Sequence, residues 1–91
     1  MQTVSEELFK KYHALSSQAL VLARKAPILD ASAAKEIFVM VENYLSDATY
    51  FFSQEDIVRA FAAVNYAHGW LDCGARLGVY EVHDNKYFTE D

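Results

Sequence analysis

Residues 60–78 read Ala60-Phe61-Ala62-Ala63-Val64-Asn65-Tyr66-Ala67-His68-Gly69-Trp70-Leu71-Asp72-Cys73-Gly74-Ala75-Arg76-Leu77-Gly78, and this run decides the fold. It holds no proline and keeps an apolar period near 3.6, so it reads as a helix. Each interior glycine costs a helix about 1 kcal/mol relative to alanine. Gly69 and Gly74 are therefore expected where something comes close. On a wheel of about 100° per residue, the apolar arc spans roughly 200°. Ala60, Ala63, Ala67 and Gly74 form its smooth middle. Leu77 and Trp70 stand on one edge, and Leu71, Val64, Ile57, Ala75 and Phe61 on the other. An arc that wide suits a helix nested between two neighbours.

Those neighbours lie upstream. A first helix is predicted from Thr3 or Ser5 to Ala26, with Leu8, Tyr12, Leu15, Ala19, Leu22 and Ala26 on its buried stripe. Phe9, Leu20 and Ala23 widen that stripe. Glu6 and Glu7 at its start, and Arg24 and Lys25 at its end, suit the helix dipole. Pro27 stops it, because the residue before a proline is pushed out of the helical region. Asp30 or Ser32 can cap a second helix running to about Phe52. Ile37, Val41, Tyr44, Ala48 and Phe51 line one of its faces, with Phe38, Leu45 and Phe52 beside them. In Ser53-Gln54-Glu55-Asp56, Ser53 is expected to cap the third helix, with Asp56 as its capping-box partner. Asp47 is expected to reach across the hairpin to Arg59. Gly78 is the expected left-handed stop.

Three long helices with short connections predict an all-α, three-helix up-and-down bundle over residues 1–78. Residues 79–91 form a short extended C-terminal tail. An isolated hairpin there is marginal in water, so its apolar side chains are expected to dock on the bundle. The tail is acidic. Glu81, Asp84, Glu90 and Asp91 against Lys86 leave it at −3 of the total −5.

Composition excludes several classes of function. Eight Lys and Arg spread thinly through a chain of net charge −5 do not make a phosphate-binding surface, so no nucleic-acid partner is expected. No stretch reaches the ~20 apolar residues that span a bilayer. The N-terminal residues carry Glu6 and Glu7 and no apolar core, unlike a secretion signal. The single cysteine, Cys73, allows neither an internal disulfide nor a thiolate cluster and suits a reducing cytoplasm. No cofactor is implied.

One polar set stands out on the third helix. Asn65, His68, Asp72 and Arg76 fall at spacings of three, four, seven and eight, around Gly69. His68–Asp72 and Asp72–Arg76 can each touch across one turn. An acid–base site would place Asp72 as the group that orients the imidazole, yet no nucleophile is identifiable nearby. His68 reads first as a boundary histidine held by a carboxylate. A metal would need further ligands, from His13, Glu36 or Glu42, that only a tertiary contact could supply, so no metal site is expected. Trp70 is expected in the core or under the tail, and Gly74 in close packing.

The residues Tyr44-x-x-Asp47-Ala48-x-x-Phe51, Asp56-x-x-x-Ala60 and Asn65-Tyr66-Ala67-x-Gly69-Trp70-Leu71-Asp72-x-Gly74-x-Arg76-Leu77-Gly78 resemble the archaeal family called domain of unknown function 357. The resemblance runs from Tyr44 into the tail and implies a small three-helix bundle. It implies no activity. That family often has Gly before the aspartate that starts the third helix, where Glu55 stands here, a change expected to alter the turn.

Small size, aromatic excess and the smooth patch at Gly69 and Ala62 point to a non-enzymatic interaction or scaffold module. It would act through the exposed face of the third helix, on a protein partner or a second copy. One alternative is a small-ligand-binding protein using Asn65, His68, Gly69, Asp72 and Arg76. Another is a helical nuclease of the HEPN type, which needs His four to six residues after Arg. Arg59 precedes His68 by nine, so that pattern fails.

Overall fold

The computed structural model of the protein describes residues 5–88. Three helices, α1 (Glu6–Lys25), α2 (Ala31–Ser53) and α3 (Ile57–Arg76), form an all-α up-and-down bundle, about 40 Å along its longest axis. Thr3, one of the two starts expected for the first helix, lies outside the described residues. Ser5 caps α1 by accepting from the Leu8 N–H at 3.0 Å, and Asp30 caps α2 by accepting from Ala33 at 3.1 Å. α3 packs along both other helices. α1 and α2 meet mainly through longer side chains. Phe9 stacks on Phe52 with centroids 4.7 Å apart, and Arg24 pairs with Glu42.

Small residues set the helix spacing. Ala60, Ala63, Ala67 and Gly74 of α3 are all buried, as are Ala19 and Ala23 of α1 and Ala34 and Ala48 of α2. The core has two parts. One, near the α2–α3 turn, gathers Phe9, Ala48, Ala60, Ala63 and Val64. The other gathers Leu20, Ile37, Val41, Leu45 and Leu71 with the tail residues Val79, Tyr80 and Phe88.

The α2–α3 turn differs from expectation. Ser53 is the last residue of α2, and its hydroxyl donates back to the Tyr50 carbonyl at 2.6 Å. Asp56 is the cap of α3, accepting from the Arg59 N–H at 3.1 Å. The carboxylate of Asp56 also holds Arg59, at 3.5 Å. Asp47 stays exposed on α2 and does not bond to Arg59.

The two downstream helices end on the same motif. After α3, Gly78 is left-handed at φ 72°. Gly78 N–H donates to Ala75 O and Val79 N–H to Gly74 O, at 3.2 and 2.9 Å. After α2, Glu55 is left-handed at φ 61°. Glu55 N–H donates to Phe52 O and Asp56 N–H to Phe51 O, at 3.1 and 2.9 Å. Both are Schellman closures. Glu55 therefore keeps the turn that a glycine would make, and bears the steric strain of a side chain there.

The tail packs on the bundle through pairing with the α1–α2 connection. Leu29 and Asp30 N–H both donate to Val79 O, and Glu81 N–H donates to Pro27 O at 2.9 Å. The only bridge among the described residues is the isolated antiparallel pair Ile28–Tyr80. Tyr80, 1% exposed, stacks on Phe38 with centroids 5.6 Å apart, and its hydroxyl donates to Leu71 O. Burying a large apolar side chain contributes about 1.5–3 kcal/mol, and Tyr80 and Phe88 supply two. Gly74 is the socket for this ring: a Cβ there would lie 2.5–2.8 Å from three Tyr80 ring and hydroxyl atoms. Trp70 is half-buried against this part of the core. Leu77, predicted to edge the apolar arc, is 73% exposed, because it follows the last turn of α3 as its C-terminal cap.

Candidate functional site

Ser16 sits in phase with Phe9 and Ala23, seven residues to either side, on the buried stripe of α1. It is a buried polar side chain at 1% exposure. Its hydroxyl lies 3.0 Å from His68 Nδ1. A hydroxyl both donates and accepts, so it serves either imidazole tautomer while fixing the ring. Along α1, Ser16 falls between the two parts of the core. His68 is thus held by a serine on a neighbouring helix, a partner missing from its sequence reading. Asp72 Oδ1 stands 3.8 Å from His68 Nε2, too far for a direct hydrogen bond.

A cleft of about 370 Å³ opens beside this pair. α1 contributes Tyr12, Leu15 and Ser16; α3 contributes Asn65, His68, Gly69 and Asp72; the tail contributes Asn85, Lys86, Tyr87 and Phe88. The tail wall is shaped by Asp84, whose carboxylate accepts from the Lys86 and Tyr87 N–H groups at 2.8 and 3.4 Å. Phe88 is buried and anchors its far end. Four of the five residues predicted for a binding face, Asn65, His68, Gly69 and Asp72, come together here. Arg76, one turn on, does not line the cleft.

Gly69 lies on a ridge of α3. A Cβ there would meet nothing within 4 Å. On its other side Asn65, Tyr66, Gly69, Trp70 and Cys73 line a shallower hollow of about 350 Å³. Tyr66 stacks at a tilt on Tyr44 with centroids 4.6 Å apart. Desolvation first, then Tyr66 and Asp47, push the Tyr44 phenol above its ordinary pKa.

His13 approaches Thr49 at 3.4 Å, Glu42 pairs with Arg24, and neither reaches His68. Among the described residues no three His, Cys, Asp or Glu side chains are grouped to hold a metal ion. No described helix is long and apolar enough to cross a membrane. Ser16 is the residue of this cleft that the sequence did not point to. Its signal was its phase, since a seven-residue step from Phe9 lands on it. The tail wall had no such signal.

No curated protein and no solved structure matches the chain. A model of one family, described as a protein of unknown function (DUF357), matches residues 11–80. That span takes in all of α2 and α3, most of α1, and both Gly74 and Tyr80, so the chain belongs to the DUF357 family.

Proposed function

We propose that the protein is a non-enzymatic interaction module whose outward α3 face receives an amphipathic segment of another protein. The observation that carries this reading is the composition of that face. Its exposed residues are Val58, Arg59, Ala62, Asn65, Tyr66, Gly69, Cys73 and Arg76, with no carboxylate and no lysine among them. α1 instead exposes Glu6, Glu7, Lys10 and Lys11, and α2 exposes Lys35, Glu36, Glu42 and Asp47. Helix faces meant only for water carry charges of both signs. Val58 and Tyr66 are 68% and 54% exposed, and the bare backbone at Gly69 lets another chain approach closely.

Charge selects the occupant. The only charged residues on this face are arginines at its two ends, about 25 Å apart at 1.5 Å per residue. A second copy meeting it about a two-fold axis would bring arginine against arginine, in either helix direction. An apolar segment flanked by acidic side chains fits instead. Against a catalytic reading, Ser16 is only 1% exposed and its hydroxyl is already engaged, 3.0 Å from His68 Nδ1.

Cys73 lies on the face and is the only cysteine, so it can carry a photo-crosslinker. The protein labelled there and irradiated in extract of its own cells should yield one adduct, joined through an acidic-flanked amphipathic peptide. Gly69→Arg should abolish the adduct. A label moved to α2, in Cys73→Ser with Glu36→Cys, should give none. An adduct to a second copy, to nucleic acid, or equally from α2, would sink the proposal, as would no adduct.

A further inference from the structure

We propose that residues 84–88 are a strap that lifts from the bundle on its own, and that the seat it vacates takes an aromatic side chain from a partner's turn of the same kind. The tail is held at two places of unlike construction. At the first, residues 79–81 pair with the α1–α2 connection, and Tyr80 fills the socket at Gly74 and donates to Leu71 O. At the second, Phe88 is buried at 2% exposure, its ring 6.4 Å from that of Tyr80. The strap between them is self-contained. The Lys86 and Tyr87 N–H groups donate to the Asp84 carboxylate, and Phe88 N–H donates to Asp84 O at 2.9 Å. Those bonds travel with the strap, so lifting it strands none of these three donors in an apolar place. Asn85 and Lys86 are exposed, Asp84 and Tyr87 half-buried, and only Phe88 is fully out of water. A segment held by so little buried apolar surface opens locally, well below the free energy of global unfolding. The family match ends at residue 80, on the first anchor, and leaves the strap outside.

The strap itself shows what the seat accepts. Phe88 belongs to one core cluster with Ala19 and Leu20 of α1 and Ala67 and Leu71 of α3, so its departure opens an apolar seat between those helices. Apolar surface so opened is unfavourable in water, and another ring can refill it. In Asp84-Asn85-Lys86-Tyr87-Phe88, an aspartate closes the turn and adjacent aromatics follow. A partner segment built the same way brings its ring to the seat with its own N–H groups already satisfied. The strap competes with that segment in cis. A partner's apparent affinity is therefore reduced by the fraction of molecules whose strap is open.

Hydrogen exchange on the unaltered full chain tests the strap. The Lys86, Tyr87 and Phe88 amides should exchange at least about tenfold faster, relative to their unstructured rates, than those of Leu29 and Glu81, which report the first anchor. Equal protection would make the tail one unit and overturn the proposal. In the full chain with Phe88→Ala, the strap should lose its protection while the helix amides of Val41 and Leu71 keep theirs. Global unfolding of that variant would make Phe88 part of the bundle and overturn the proposal too. A synthetic peptide of residues 81–91 probes the seat. It should shift the Leu15, Ser16 and His68 amides of the Phe88→Ala chain saturably, and bind the unaltered chain at least about tenfold more weakly. The peptide carrying Phe88→Ala should shift neither chain. No shift in the Phe88→Ala chain, or equal binding to both chains, overturns the proposal. Straps exchanged between copies, seen as a dimer of the unaltered chain in light scattering, would give the seat to a second copy and overturn the assignment to a partner. None of these readouts depends on a label at Cys73, so this proposal and that for the outward α3 face fail separately.

Discussion

At the residue scale, the two glycines inside α3 do opposite things. Gly74 is filled by Tyr80, whose ring is held against Phe38 and Phe88 and has nowhere to move. Gly74→Ala should cost about 1–3 kcal/mol of overpacking, offset in part by about 1 kcal/mol of helix propensity. Gly69 meets nothing, so Gly69→Ala should stabilise by up to about 1 kcal/mol. Urea midpoints moving in opposite directions would confirm the pair; a shift of both in one direction would refute it. The sequence showed both glycines as exceptions but not which was the socket, because Tyr80 arrives from a tail with no helical period to place it. Ser16 was hidden for a different reason. A stripe read by hydrophobicity alone skips a polar residue, although helical phase puts it at the centre.

At the element scale, the same closing motif follows α2 and α3, once with Glu55 and once with Gly78. A side chain in the left-handed region costs about 1–2 kcal/mol, of which glycine's greater freedom in the unfolded chain takes back roughly 0.5–1. Glu55→Gly should therefore raise stability by about 0.5–1 kcal/mol, read as a higher thermal midpoint, and a lower midpoint would show that the strain is relieved elsewhere. Apart from the start of α3, which comes three residues later than Ser53 suggested, the helix ends were legible to within a residue or two, because apolar period, Ser5, Asp30, Pro27 and Gly78 all point the same way. The α2–α3 turn was misread. Ser53 and Asp56 are both good caps, and only the geometry of the preceding helix end decides between them. α2 extends through Ser53, which leaves Asp56 as the first residue free to cap.

At the scale of the whole molecule, the tail closes the bundle against the α1–α2 connection, and this makes stability depend on alkaline pH. Burial, then Asp72 and Cys73, push the Tyr80 phenol well above its ordinary value. The unfolded chain releases that proton near pH 10, while the native state keeps it. Above pH ~10 the unfolded state thus binds fewer protons, and stability falls as pH rises, by at most about 1.4 kcal/mol per pH unit for this group. Tyr44 moves in the same direction more weakly. Below pH ~10 the contribution is fully present. Denaturant melts from pH 8 to 12 should show the decline starting near 10, and Tyr80→Phe should flatten it. A decline of equal slope in Tyr80→Phe would place its origin elsewhere. The bundle was legible from the sequence, because its helices are long and periodic. The cleft was half legible: its α3 wall could be read at helical spacing, but its tail wall is placed by pairing of residues 79–81 with the α1–α2 connection some fifty residues earlier in the chain.

The ring of Tyr80 seated on Gly74 also constrains how this chain can diverge. Both positions lie inside the span that defines the family, and neither can change alone without a clash or a hole. A relative with alanine or larger at position 74 must carry a smaller side chain at position 80, and one that keeps the tyrosine must keep the glycine. Across relatives the two positions are therefore expected to change together, as one unit of shape.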